Sequence, residues 1–175
     1  MEVLIHPFSF REALRHEGAE PSQSYEQFSP AERIALDTRL RQYLSEGGFP
    51  EAQGATPRNR ATLLNGYVDV VVLRDIIERH AVNNSIALRW IERQLLANPG
   101  GAFTVKKYYD TLKSQGVPVG KDTLHASLAH LEDAFLVRTV SMQTASERQR
   151  MVNPRKAYPI DTGLIALFER TGQTQ

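Results

Sequence analysis

Apolar positions in this 175-residue chain fall mostly at helical spacing, and cap signals punctuate them. Ser9-Phe10-Arg11-Glu12 has the form of a capping box, in which the serine oxygen accepts the third helical amide while the glutamate reaches back to the cap amide. It predicts a short helix from Phe10 to about His16. Residues 21–27 are polar and without period, and read as loop. Ser29-Pro30-Ala31-Glu32 joins a second box to a proline at the first helical position. Leu36, Leu40, Tyr43 and Leu44 follow as the stripe of an amphipathic helix that Gly47-Gly48 stops. Thr56-Pro57 repeats the start signal ahead of Leu63, Leu64, Tyr67, Val68, Val71, Val72 and Ile76, predicting one long helix from about Pro57 to Ala81. The β-branched run Val68–Val72 competes as a buried strand, and the helical spacing on both sides favours the helix.

Beyond residue 82 the elements shorten. Asn84 or Ser85 caps a helix carrying Ile86, Trp90, Ile91, Leu95 and Leu96, which ends at Asn98-Pro99-Gly100-Gly101. Thr104 caps a second with Val105, Tyr108, Tyr109 and Leu112, and a third follows Gly120 with Leu124, Leu128 and Leu131. Phe135–Val140 and Ala157–Ile160 fit a β-hairpin whose second arm Pro159 demotes to an edge strand. Asp161 then caps a last helix through Leu164 to Glu169. The fold expected is mainly α: a helical bundle, then a winged helix-turn-helix with a small β-hairpin. The divisions fall at residues 1–82, 83–161 and 162–175.

Net charge is only +1, from 21 Lys and Arg against 20 Asp and Glu. Its distribution says more, since residues 1–80 sum to −3 without a single lysine and residues 81–175 sum to +4. Two functional units are implied, the second mildly basic. The absence of cysteine excludes disulfides, thiolate metal sites and a cysteine nucleophile, and fits a reducing cytoplasm. Apolar runs such as Val70–Leu73 are far short of the roughly 20 residues that span a membrane, and charged residues break the first fifteen positions. A cytoplasmic chain without a membrane partner is expected.

Self-contained catalysis is not expected. Gly116–Thr123 looks like a phosphate loop, but three residues separate its glycines where four are needed, Asp122 follows Lys121, and a helix leads in. It reads as a turn. His6, His16, His80, His125 and His130 have no metal-site spacing, and no nucleophile elbow occurs. No metal and no catalytic residue are assigned.

Nucleic-acid contact is the better-supported chemistry. The third helix of a winged helix offers its first two turns to the major groove, here Lys121, Thr123 and His125. Residues 121–133 nonetheless sum to −2, whereas residues 144–156 sum to +3 through Arg148, Arg150, Arg155 and Lys156. Lys106 and Lys107 on the second helix add to this. The pattern fits a salt-sensitive grip on phosphates with little reading of sequence.

Four strings occur in a telling order: Pro7-Phe8-Ser9-Phe10-Arg11-Glu12, Tyr43-Leu44-Ser45-Glu46-Gly47-Gly48-Phe49-Pro50-Glu51, Arg74-Asp75-Ile76-Ile77-Glu78-Arg79 and Lys156-Ala157-Tyr158-Pro159-Ile160-Asp161-Thr162-Gly163-Leu164. In these, over nearly its whole length, the chain resembles the C-terminal part of bacterial and archaeal AAA-type P-loop ATPases that end in a nuclease-like domain of unknown function. It departs at Phe8, where leucine is usual, at Pro159, where an apolar residue is usual, and in lacking the P-loop core and the nuclease-like domain. The resemblance implies that residues 1–82 form a lid and that Gly47, Gly48 and Pro50 sense the adenine of ATP or ADP in an intact parent protein. This chain by itself is expected to hold no cofactor.

The function expected is a non-catalytic lid and winged-helix module that couples nucleotide state to DNA, through wing and second helix, or to an ATPase core or other protein. A stand-alone winged-helix DNA-binding regulator is one alternative. A pure protein-interaction module, with the apolar helix from Leu63 to Ile77 as its face, is another.

Overall fold

The structure is a computed structural model, and residues 5–146, 148–149 and 153–169 are described. It is mainly helical with one small antiparallel sheet. In chain order come α1 (Phe10–His16), α2 (Pro30–Glu46), α3 (Pro57–Val70) with a π-wound continuation (Val71–Glu78), α4 (Ser85–Ala97), β1 (Ala102–Phe103), α5 (Val105–Ser114), α6 (Lys121–Asp133), β2 (Val137–Val140), β3 (Arg155–Pro159) and, after a 3-10 turn at Thr162–Leu164, α7 (Ile165–Glu169). Among the described residues no helix is long and apolar enough to cross a membrane.

Local chemistry sets most helix starts. Both capping boxes close: Glu12 and Glu32 each accept the cap amide at 2.8 Å, and Ser9 and Ser29 accept the third helical amide in return. Thr56, Asn84 and Thr104 cap α3, α4 and α5. Each cap contributes about 1 kcal/mol. Asp161 accepts the Gly163 amide at the final turn.

The long helix winds in two ways. Leu64, Val68, Val72 and Ile76 are all buried, at a constant spacing of four. On an α-helix that spacing drifts about 40° per step, so a fixed contact face would be lost over three steps. Wider winding over Val71–Glu78 turns the drift back. The amide of Arg79 accordingly donates five residues back, to Arg74 at 3.3 Å.

These four residues share one apolar cluster with Leu88, Ile91 and Leu95 of α4, Leu112 of α5, Leu124, Leu128 and Leu131 of α6, and Val137 and Ala157 of the sheet. Burying each leucine contributes about 2 kcal/mol, which makes this cluster the main source of stability. α2 takes no part. None of its residues is buried, and Ile34 and Leu44 are 68% and 50% exposed. The expected amphipathic helix therefore forms without its stripe being covered. α2 is held instead by directed contacts, with Tyr43 donating to Phe8 O at 2.6 Å and ion pairs joining Arg39 to Glu17 and Glu46 to Arg60.

Sheet order is β1-β3-β2, all antiparallel, with Ala102 opposite Lys156 and Thr139 opposite Ala157. This corrects the expectation of an edge strand, because β3 is central. Proline is tolerated there for a simple reason: β1 reaches only Arg155 and Lys156, so at Pro159 the strand has a neighbour on one side alone, Val137 of β2. β1 itself, two residues after a glycine pair, has no sequence signature.

Candidate nucleic-acid interface and glycine junction

Helix phase and strand alternation sort the predicted basic residues. Lys106 stands in the first turn of α5, Lys121 opens α6, His125 lies one turn further, and Arg155 begins β3. These four surround one cavity of about 250 Å³, together with Thr104 and Asn153. Lys106 pairs with Asp110 at 2.7 Å. That hydrogen bond, with the charges of Lys106, Lys121 and Lys113, holds the Asp110 carboxyl below its ordinary value, and the same bond raises Lys106. Tyr109 carries the ammonium of Lys121 at 5.3 Å and that of Lys113 at 5.8 Å over its ring. A cationic strip thus runs from the cavity along α5.

Other predicted residues fall elsewhere. Lys107, about 100° round α5 from Lys106, lines a separate cavity with Trp90, Gln94 and Tyr108. Lys156 is exposed on the sheet face opposite Arg155, as alternation along a strand requires. Thr123 is half-buried in the first turn of α6, and Arg148 is exposed in the hairpin tip. Arg150 lies outside the described residues. Sequence reasoning missed Thr104, Tyr109 and Asn153, of which only Tyr109, between lysines, left a signal.

The phosphate-loop look-alike is a turn, with Gly116 at φ +75° just past α5 and Asn84 Nδ2 donating to Pro118 O at 2.8 Å. Among the described residues no three His, Asp or Glu side chains gather as a metal site.

Gly47 and Gly48 are buried where three distant segments meet. Asp161, 5% exposed, accepts the Gly48 amide on Oδ2 at 2.6 Å and the Gly163 amide on Oδ1 at 2.9 Å. Phe8 N donates to Gly48 O at 2.7 Å. Burial pushes the Asp161 carboxyl up, and the two amides pull it back down. Gly47 has φ +83°, and a Cβ there would run into Asp161 Oδ1; one on Gly48 would run into Phe8 O. Both glycines are thus accounted for by backbone approach within the protein. Pro50 is exposed and opens a one-turn 3-10 helix, while Phe49 packs on Tyr67 at 5.5 Å beside an apolar cavity of about 550 Å³. The strings around Phe8, Gly48 and Asp161, distant in sequence, are neighbours in space.

The family described as Domain of unknown function (DUF8612) matches residues 37–175, and the chain belongs to it. It is similar to an uncharacterized protein of Haemophilus influenzae, at 30% identity over 94% of this chain and 38% of that protein. It is also similar to the uncharacterized protein MJ1544 of Methanocaldococcus jannaschii, at 24% identity over 92% of this chain and 36% of that protein. The chain therefore spans little more than a third of the length of these relatives. No solved structure matches it at a significant level.

Proposed function

We propose that this member of the DUF8612 family is the non-catalytic lid and winged-helix part of a larger, cytoplasmic ATP-binding protein, and that it holds nucleic-acid backbone on the face formed by Lys106, Lys121, His125 and Arg155. The observation that carries the reading is the convergence of these four side chains, from α5, α6 and β3, on one cavity. The element order from α4 to β3, with the first strand beside the last, agrees with a winged helix. In that arrangement the start of the third helix and the base of the hairpin are where phosphates are met.

Charge decides the mode of binding. Beyond Lys121, α6 carries Asp122, Glu132 and Asp133, which repel phosphate, so the grip positions a backbone and reads little sequence. Relatives well over twice as long agree with a part that works within a larger machine. The nucleotide-binding core belongs to that larger protein, and within this chain Gly47 and Gly48 act as packing residues of a junction.

Fluorescence anisotropy with a labelled duplex of about two helical turns tests the reading. Binding that weakens steeply between about 50 and 200 mM salt, and that Arg155→Ala or Lys121→Ala reduces, is expected. Absence of any low-salt binding by the unaltered chain overturns it. Calorimetry with ATP or ADP is expected to give no heat of binding to this chain, and saturable heat would overturn the assignment of the nucleotide site to another part.

A further inference from the structure

The junction between the long helix and α6 ends in an arrangement that nucleic-acid binding does not use. His80, just past the π-wound turns, and His130, in the last turn of α6, stack ring on ring with centroids 3.9 Å apart and planes 21° apart. Each helix stops straight afterwards through a left-handed residue that is not glycine, Ala81 at φ 48° and Phe135 at φ 55°. Val82 N then donates to Ile77 O, and Leu136 N to Leu131 O, which closes both ends. Two helix C-termini consequently meet at the two rings, and their carbonyls favour positive charge nearby.

One proton on the pair suits this environment, since an imidazolium lies well over a neutral ring. A second proton sets two like charges at stacking distance. The groups facing the pair are mixed. Asp75 and Arg79 come from the π-wound turns, Glu132 and Asp133 from α6, and Arg138 from β2, around a shared cavity of about 720 Å³. Glu132 is committed to Thr139, accepting its amide at 3.0 Å and its hydroxyl at 2.8 Å. Arg138 lies over the Phe135 ring at 5.0 Å, and His6 meets the same ring edge-on at 6.4 Å. Among the described residues Asp75, Arg79 and Asp133 make no ion pair, so no carboxylate bonds either ring, and Asp133 acts on His130 only through space.

We propose that the His80–His130 stack is a proton-operated joint between the π-wound helix and α6, held while the pair carries at most one proton and loosened when both rings are charged. Burial already holds His130 below the ordinary imidazole value, the His80 charge pushes the same way, and Asp133 opposes them. The unfolded chain takes that proton more readily. Stability contributed by the stack is therefore present above the ordinary histidine range and lost as pH falls through it and below the lowered value. Acid loosens the seam between the helical half and the sheet-bearing half while leaving the apolar cluster intact.

A double-mutant cycle in the full chain, with His80→Gln, His130→Gln and both, isolates the pair from His6, His16 and His125. Urea unfolding is followed at about pH 7.5 and about pH 5. The coupling is expected to stabilise at the higher pH and to fall by about five-fold or more, as a folding equilibrium constant, at the lower. Equal coupling at both pH values overturns the proposal. NMR titration of the imidazole protons, which needs only the folded state, is the second readout. Removing His80 is expected to raise the His130 midpoint, and an unmoved midpoint likewise overturns the joint.

Discussion

The glycine junction and the cationic rim lie in one molecule and are built on opposite terms. At the junction the polar atoms that meet are spent on one another, the buried Thr162 hydroxyl excepted: Asp161 accepts two amides, Gly48 gives one and receives another from Phe8, and no room remains for a methyl group. At the rim Lys121 and His125 are exposed, and Lys106 is held by one surface ion pair that solvent screens. Satisfied, buried atoms hold a structure together, whereas cations left open to solvent can be used by something else. The first region can be altered only at the expense of the fold, and the second, on the proposed function, at the expense of binding.

The sharpest way to break that contrast is at Gly48. Gly48→Ala is expected to destabilise the chain by about 3 kcal/mol or more in urea unfolding, because Phe8 backbone must move. Asp161→Ala follows, at about 2–4 kcal/mol, since the Gly48 and Gly163 amides lose their acceptor in a buried place. Neither change is expected to act on DNA affinity except through unfolding. Next in size, Lys121→Ala and Arg155→Ala should leave the unfolding midpoint within about 0.5 kcal/mol and lower duplex affinity, each reducing the salt slope by about 1.

Smallest is a pH effect at Glu92, which is 4% exposed and whose carboxyl burial raises while Arg89, at 3.2 Å, draws it down. A raised folded value means that the folded chain holds this proton more tightly than the unfolded one. The stability it adds is present below the ordinary carboxylate range and lost as pH rises through the raised value. Glu92→Gln should thus gain on the native chain between about pH 4 and pH 7, measured by urea midpoints at both ends.

Local chemistry was the most legible part of the sequence. Ser9, Ser29, Thr56, Asn84 and Thr104 announce helix starts because a cap is settled within four residues of chain. The spacing of Leu64, Val68, Val72 and Ile76 announced a long helix but not its wide winding, because steps of four also occur along ordinary α-helical stripes. What α2 does with Leu40 and Leu44 could not be read, because exposure depends on whether another element arrives to cover them. β1 is two residues long and exists only because β3 is there to pair with. At the site, residue types were legible and their grouping was not. Lys106 and Lys107 differ by one helical step, Arg155 and Lys156 by one strand step, and each step sends one partner away from the cavity. Gly47-Gly48 read as a helix stop and, by the resemblance, as an adenine-sensing turn, whereas their close approach to Asp161, remote in sequence, was not legible.

The bond from Gly48 to Asp161 also has a place in time. It joins residues 113 positions apart, so forming it closes a very long loop, an entropic cost that no local contact at the junction offsets beforehand. Capped helices, and the part of the apolar cluster shared by α4, α5 and α6, involve nearer neighbours and are expected to form first. The junction is accordingly expected to form late in folding, so that Asp161→Ala speeds unfolding more than it slows folding, as the two arms of a chevron would read out.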